Sequence, residues 1–266
     1  MLKRAGDSLV FGLSGRVVGW VWFYGVVLLA WAALWAMGQD PRVDGSAFGL
    51  ALLADLCGAG ADSMGYRALF SMWAVMSVAM MAPTAVPAIV TWTRLPGAAS
   101  GGASGTFALI AGYLAVWLGA SGLFAVAQSG LTARGLLGAN GASLSGWLTA
   151  ALFAAAGAYQ FSRLKEACLS RCRMPLTFFM ERWRPGVSGA LMAGVRLGLV
   201  CLGCCWALMA LAFVGGMTNL LWMGLATALM VMEKLPDIGR PLTRPLGWAL
   251  LAAAAVTGVF AYGGLL

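Results

Sequence analysis

The sequence contains no histidine and few charged residues. Only 10% of its 266 residues are Asp, Glu, Lys or Arg, whereas a soluble domain carries about 25%. The lack of histidine excludes imidazole metal ligands, imidazole haem ligation and imidazole acid–base catalysis. The shortage of charge indicates that most of the molecular surface faces lipid. No nucleotide-binding motif or hydrolytic constellation is visible, so a pump would need a partner protein, and a function without catalysis is favoured.

Long uncharged runs are abundant instead. Hydrophobic residues make up 61% of the chain, and the mean hydropathy is +0.87. A membrane-spanning helix needs about 20 apolar residues, and runs of about this size cover residues 17–37, 68–92, 107–128, 144–161, 197–232 and 246–266. The run 197–232 exceeds one span, and Gly215-Gly216 with Asn219 predict a turn inside it. The runs lack the alternation of barrel strands. The sequence therefore predicts an all-α, single-domain (residues 1–266), polytopic bundle of about seven transmembrane helices.

The net charge is +8, and the basic residues are concentrated in the segments predicted to lie on one side of the membrane. If the N-terminus is cytoplasmic, the outer segments carry only Arg42, Arg67 and Arg134. The inner segments carry Lys3, Arg4, Arg16, Arg94, Arg163, Lys165, Arg171, Arg173, Arg182, Arg184, Lys234, Arg240 and Arg244. This positive-inside pattern predicts a multi-pass protein of a bacterial cytoplasmic (inner) membrane, with the lipid bilayer and not nucleic acid as its partner. The first run is too long and too rich in tryptophan for a signal peptide core, so it is interpreted as a span.

Three cysteines lie within five residues of one apolar run, at Cys201, Cys204 and Cys205. At about 100° per residue they share one helical face with Met209. Two or three thiolates with a thioether suit Cu(I), a soft cation that accepts few ligands. The alternative is that these cysteines are small buried hydrophobes that let helices approach closely. Gly194 and the glycine four residues later already indicate close packing on this helix.

A row of methionines occupies the second run. It consists of Met72, Met76, Met80 and Met81. The first three recur every four residues and form one stripe, which ends near Pro83. Thioethers spaced by one helical turn could pass a soft ion inward, whereas the ordinary interpretation is adaptable core packing. Pro83 and Pro87 each remove a backbone donor and are expected to open space beside the helix.

The basic segment 162–185 contains two further thiols, Cys168 and Cys172, one turn apart. The segment is expected to contain a short interfacial helix bounded by Pro175 and Pro185. Neighbouring Lys165, Arg171 and Arg173 are expected to lower a thiol pKa. The pair would then suit metal docking or exchange on the cytosolic side; the alternative is a solvated basic helix with incidental cysteines.

Charged residues also occur at the ends of, or within, the spans. Arg196 is expected to extend toward the basic interface. Glu233 and Lys234 end the sixth span, where they would form an interfacial ion pair or anchor the loop that carries Cys168. Cys57 is the single cysteine of the first outer loop and ends a short apolar segment, 46–57, that would lie on the membrane surface.

Four groups of residues resemble a bacterial family of unknown function, described as predicted metal-binding integral membrane proteins. They are Trp73 with Met76, Met80-Met81 and Pro83-Thr84; Gly112-Tyr113-Leu114 with Trp117; Tyr159-Gln160 with Leu164-Lys165, Cys168-Leu169, Cys172-Arg173 and Pro175; and Gly203-Cys204-Cys205-Trp206 with Leu208-Met209, Gly216-Met217, Asn219-Leu220, Trp222-Met223 and Glu233-Lys234. The resemblance covers about 68–234. The chain departs from it at Arg171, where many members have histidine.

Three hypotheses follow from these residues. The first is an integral membrane protein that binds Cu(I) through sulfur for transport or delivery. Its proposed metal ligands are Cys201, Cys204, Cys205, Met209, Met76, Met80, Met81, Cys168 and Cys172. A metallochaperone or a membrane complex subunit would be its partner. The second is a membrane thiol–disulfide oxidoreductase, because Cys201 and Cys204 have the CxxC spacing. The third is a structural subunit of a membrane complex.

Overall fold

The structure, a computed structural model, describes residues 2–37, 65–95, 102–138, 140–181 and 183–263, with side chains from residue 19 onward. Within these ranges all regular structure is helical, apart from an isolated antiparallel bridge between Leu137 and Ser143. The expected all-α class is therefore confirmed. The apolar segment 46–57, with Cys57, lies outside the described residues, so its position on the membrane surface stays a prediction.

Ten helices follow one another in these ranges. They are α1 (Leu2–Met37), α2 (Tyr66–Arg94), α3 (Gly102–Ala133), α4 (Gly146–Gln160), α5 (Arg163–Arg173), α6 (Pro175–Glu181), α7 (Gly186–Ala210), α8 (Ala212–Gly215), α9 (Leu220–Lys234) and α10 (Pro236–Tyr262).

Five described segments are long and apolar enough to cross a membrane. They are Gly19–Met37, Tyr66–Arg94, Gly102–Ala133, Gly186–Gly215 and Pro236–Tyr262. Two other predicted spans correspond to α4 and α9, which have 15 residues each. That length gives about 22 Å of helix, short of about 30 Å of hydrocarbon. The helices support a membrane protein, while seven spans and a cytoplasmic N-terminus stay predictions.

The predicted turn inside run 197–232 is confirmed. Gly216 has a φ of 84°, a conformation that glycine adopts without a steric penalty. The side chain of Asn219 accepts a hydrogen bond from the backbone N–H of Trp222 and so caps α9. The Trp222 indole donates to the carbonyl of Leu211 at 2.8 Å. These contacts fold α9 back along α7.

The prolines do not interrupt α2, which continues through Pro83 and Pro87 to its end. Pro83 cannot donate to the carbonyl of Ala79 one turn earlier. The indole of Trp31 on α1 donates to that carbonyl instead, at 3.1 Å. The carbonyl of Ala79, which has no donor within its own helix, thus forms a hydrogen bond between α1 and α2.

Helices α3 and α7 pack with their backbones in close contact. A methyl group at Gly194 would collide with the backbone of Leu109, and one at Gly198 would collide with Val116. On the facing helix, a side chain at Gly112 would collide with the backbone of α7. The glycine spacing therefore marks a real helix–helix interface, which holds α7 in the centre of the bundle.

The basic segment forms two helices instead of one. Pro175 starts the second of them, α6, as expected for a proline that bounds a helix and consistent with the preference for proline in a first turn, whereas the helix before it, α5, was not expected. Pro185 precedes α7 as its N-cap. The preceding α5 carries both Cys168 and Cys172, and it packs against α7.

Candidate metal centre

The three thiols of α7 form one buried cluster. The sulfurs of Cys201, Cys204 and Cys205 all lie within 4.8 Å of one another, and the Cys204 and Cys205 sulfurs are 3.4 Å apart. Each residue is only 1–2% exposed. All three are free thiols. One face of a single helix thus brings together three soft donor atoms, as the 100° periodicity predicts.

Polar groups from three other helices surround the Cys201 sulfur. The ammonium of Lys234 on α9 donates to it at 3.0 Å, and the hydroxyl of Tyr113 on α3 lies 3.1 Å away. Lys234 also donates to the hydroxyl of Thr84 on α2, at 2.7 Å. Thr84 and Tyr113 both donate to the carbonyl of Met81. A positive charge therefore lies directly beside the buried thiols.

The expected ion pair between Glu233 and Lys234 is not formed. Neighbouring residues on a helix point about 100° apart, so the two side chains face different helices. Glu233 accepts a hydrogen bond from Lys165 on α5 at 2.8 Å, with both side chains almost fully buried. Lys234 faces the thiol cluster instead. Through Lys165, Glu233 anchors the helix that carries Cys168, which was the other role expected for this pair.

A second basic residue fixes the same segment. Arg173, at the end of α5, donates from Nε to the carbonyl of Glu233 at 2.9 Å and from Nη2 to the hydroxyl of Thr243 at 3.3 Å. It also lies 3.7 Å from the exposed carboxylate of Glu166. Together with Lys165, Arg173 ties α5 to the junction of α9 and α10.

This anchoring places the α5 cysteines over the thiol cluster. The Cys172 sulfur lies 3.9 Å from the sulfur of Cys204. The Cys168 sulfur occupies the space where Gly203 lacks a side chain. Both α5 cysteines are half-buried, whereas the α7 thiols are buried. Cysteine sulfurs are therefore found both in the fully buried cluster of α7 and, next to it, on the partly accessible helix α5.

The expected lowering of the thiol pKa is wrong for Cys168. Burial raises the pKa of this thiol above its ordinary value, and the nearby Arg171 opposes that rise only in part. Desolvation disfavours the thiolate, and it outweighs the attraction of one exposed guanidinium.

The methionines named from the sequence are all buried in the bundle core. Met76, Met80, Met81 and Met209 are each at most 1% exposed, and they belong to the same buried cluster as the three α7 cysteines. The backbone of Met81 reaches the thiol site through its carbonyl group. A role of the thioethers in metal binding stays a prediction.

From the sequence, Thr84 and Tyr113 had no expected role, and Lys234 was expected only to pair with Glu233 or to anchor the segment that carries Cys168. Each occurs in a motif that carries the family resemblance, which was the available signal. A lysine and a tyrosine in apolar surroundings were a second signal, because buried polar groups need partners. Their partner, Cys201, could be identified only once the helices were placed.

A cavity of about 220 Å³ lies beside the cluster, between α1, α2 and α9. Its lining includes Pro83, Thr84, Pro87 and Lys234. Pro87 has no N–H to offer the carbonyl of Pro83, so the cavity adjoins a backbone acceptor freed from the helix. The space beside the prolines expected from the sequence is therefore present, and it reaches Thr84 and Lys234, two of the residues that contact Cys201.

Comparison with protein-family models gives a match that covers more than half of the chain. A family model described as "PpoB2: Copper chaperone" matches residues 70–257. No curated protein and no solved structure matches the chain.

Proposed function

The chain belongs to the PpoB2 copper chaperone family, and from this premise we propose that it is a membrane protein that binds Cu(I) and delivers it to a partner. The observation that carries the proposal is the buried cluster of three free thiols within 4.8 Å, with an ammonium group 3.0 Å from one sulfur. Thiolates are soft ligands that select Cu(I), Zn²⁺ and iron–sulfur clusters. Copper is the cargo of this site.

The charge of the surroundings favours a monovalent ion. Two thiolates, one Cu(I) and the ammonium of Lys234 sum to zero charge, which suits a site with almost no water access. The third thiol would serve as the entering or leaving ligand. Thiolate exchange of this kind lets a tightly held ion move without being released as a free ion.

The route of the ion follows the sulfur atoms. Methionines Met76, Met80 and Met81 of α2, with Met209 of α7, would offer weak thioether contacts on the way to the cluster. Cys172, 3.9 Å from Cys204, would receive the ion next, with Cys168 beside it. A cytosolic metallochaperone or a copper-accepting membrane complex subunit would exchange copper at α5. The proposed location is the inner membrane of a bacterium, with α5 on the cytosolic face.

Metal retention tests the proposal directly. Protein purified without oxygen, loaded with Cu(I) and desalted, is expected to retain about one ion per chain, as one thiol cluster would hold. The Cys204→Ser/Cys205→Ser variant is expected to retain none, because a hydroxyl is a poor ligand for a soft ion. The copper content is measured by atomic absorption.

A matched control removes one sulfur from the exposed side of the same helix. The Met192→Leu variant should keep its copper, since Met192 is 43% exposed. The proposal fails if wild-type protein retains no copper, or if the double variant retains as much as wild type. Reversible disulfide formation that consumes the α7 thiols on mild oxidation would favour the oxidoreductase hypothesis instead.

Transfer through α5 makes a separate prediction. The Cys172→Ser variant should bind the same amount of copper but release it about tenfold more slowly to a water-soluble Cu(I) chelator, a factor equivalent to about 1.4 kcal/mol in the barrier. The rate is followed by the absorbance of the chelator complex. Ser170→Ala, a change at a half-buried position of the same helix that removes no sulfur, is the control. Equal release rates in all three proteins would show that Cys172 is not on the route.

A further inference from the structure

An arginine within a membrane-spanning segment has no ionic partner in the described part of the chain. Arg196 lies in the third turn of α7, and its side chain is half-buried. The two ion pairs among the described residues involve other side chains. A guanidinium keeps its charge in proteins, and an uncompensated charge at this depth is costly. Some anionic group from outside the described residues is therefore expected to contact Arg196.

Arg196 lines a cavity of about 170 Å³ together with Arg171 of α5. The cavity lies between α5, α6 and α7. Glu181 is the one carboxylate among its lining residues, and it is exposed, so two guanidinium groups and one carboxylate leave a net positive charge. Phe178 and Leu199 give the cavity an apolar wall. Positive charge beside an apolar wall is the chemistry of a lipid headgroup site.

The depth of the cavity agrees with this ligand class. Arg196 is the eleventh residue of α7, about 15 Å from the start of the helix. It therefore lies toward the end of the span Gly186–Gly215 that adjoins α5 and α6, and a long guanidinium side chain at this position can reach the headgroup layer. Leu199, one turn deeper, is 55% exposed and offers a surface for an acyl chain.

We propose that the cavity between α5, α6 and α7 binds the phosphate headgroup of an anionic phospholipid through Arg171 and Arg196. The phosphate accepts hydrogen bonds from both guanidinium groups, and an acyl chain lies along α7 over Leu199. Bound lipid stabilises the position of α5, the helix that carries Cys168 and Cys172. The lipid site itself uses neither the cysteines nor copper.

Native mass spectrometry of delipidated protein tests this assignment. The protein is mixed with equal amounts of dioleoyl phosphatidylglycerol and dioleoyl phosphatidylcholine, which differ in headgroup and net charge. Two arginines are expected to give about a thirtyfold preference for the anionic lipid. Arg196→Gln should reduce the preference to about fivefold, and Arg171→Gln/Arg196→Gln should abolish it. Arg244→Gln, an exposed arginine of α10 outside the cavity, should leave the preference unchanged.

Several outcomes overturn the proposal. These are equal binding of both lipids by wild type, an unchanged preference in the double variant, or displacement of the lipid by millimolar inorganic phosphate, which would assign the site to free phosphate. If Arg196→Gln does not fold, the exposed Arg171→Gln alone should still reduce the preference about fivefold. The Cys204→Ser/Cys205→Ser protein should retain the full lipid preference, so failure of the copper proposal and failure of the lipid proposal are distinguished.

Discussion

Replacing Lys234 by methionine is expected to reduce the preference of the thiol cluster for a monovalent over a divalent soft ion by about two orders of magnitude. The ammonium lies 3.0 Å from the Cys201 sulfur, so a metal ion bound to that sulfur would lie about 5 Å from it. At an effective dielectric constant of about 20, two unit charges at this distance repel by about 3 kcal/mol. A divalent ion experiences this repulsion twice, so Lys234 disfavours it relative to Cu(I).

The ratio of affinities isolates this effect from other consequences of the substitution. Lys234 also stabilises thiolates, but that contribution is common to every metal ion that displaces the thiol protons. Competition titrations with Ag(I), a stable substitute for Cu(I), and with Cd²⁺ give the ratio for each protein. Arg240→Gln, an exposed change of the same charge, controls for the net charge of the chain. An unchanged ratio in Lys234→Met would mean that the ammonium does not select the ion.

The sequence predicts those parts of the site that lie on one helix. The shared face of Cys201, Cys204 and Cys205 follows from the spacing alone, and so does the turn pairing of Cys168 with Cys172. The resemblance also pointed to the correct family. Which helix contacts which could not be predicted, because apolar runs of similar composition do not specify their neighbours. The 3.9 Å approach of Cys172 to Cys204 depends on such a tertiary contact.

The partners of Glu233 and Lys234 also depend on which helices are neighbours. Adjacent opposite charges near a helix end suggested an ion pair with each other, but consecutive side chains on a helix cannot face each other. Each needed a partner on another helix, and those partners, Lys165 and Cys201, are 68 and 33 residues away. The apolar run 144–161 also overestimated the length of α4, which covers Gly146–Gln160, because apolar residues continue into the turns that bound it.

Breaking the buried pair of Lys165 and Glu233 is expected to cost about 3–5 kcal/mol of stability. The Glu233→Gln variant would leave the ammonium of Lys165 buried without an opposite charge. The pair lies 2.8 Å apart with side chains only 1% and 2% exposed, so water cannot replace the missing partner. The free energy of unfolding in detergent micelles, measured by denaturant titration, gives the effect.

Two further variants separate the loss of the pair from other effects. Glu166→Gln removes the carboxylate 3.7 Å from Arg173, whose side chain is 66% exposed. A long pair with one solvated partner is worth about 0–1 kcal/mol, and Arg173 keeps its hydrogen bonds to Glu233 and Thr243, so this protein should remain close to wild type. Lys165→Met/Glu233→Met replaces both charges by apolar groups and should recover most of the lost stability.

Because the pair fixes α5 on α9, Glu233→Gln should also raise the rate at which a maleimide labels Cys172. Wild-type stability together with wild-type labelling in Glu233→Gln would show that the pair does not hold α5 over the thiol cluster.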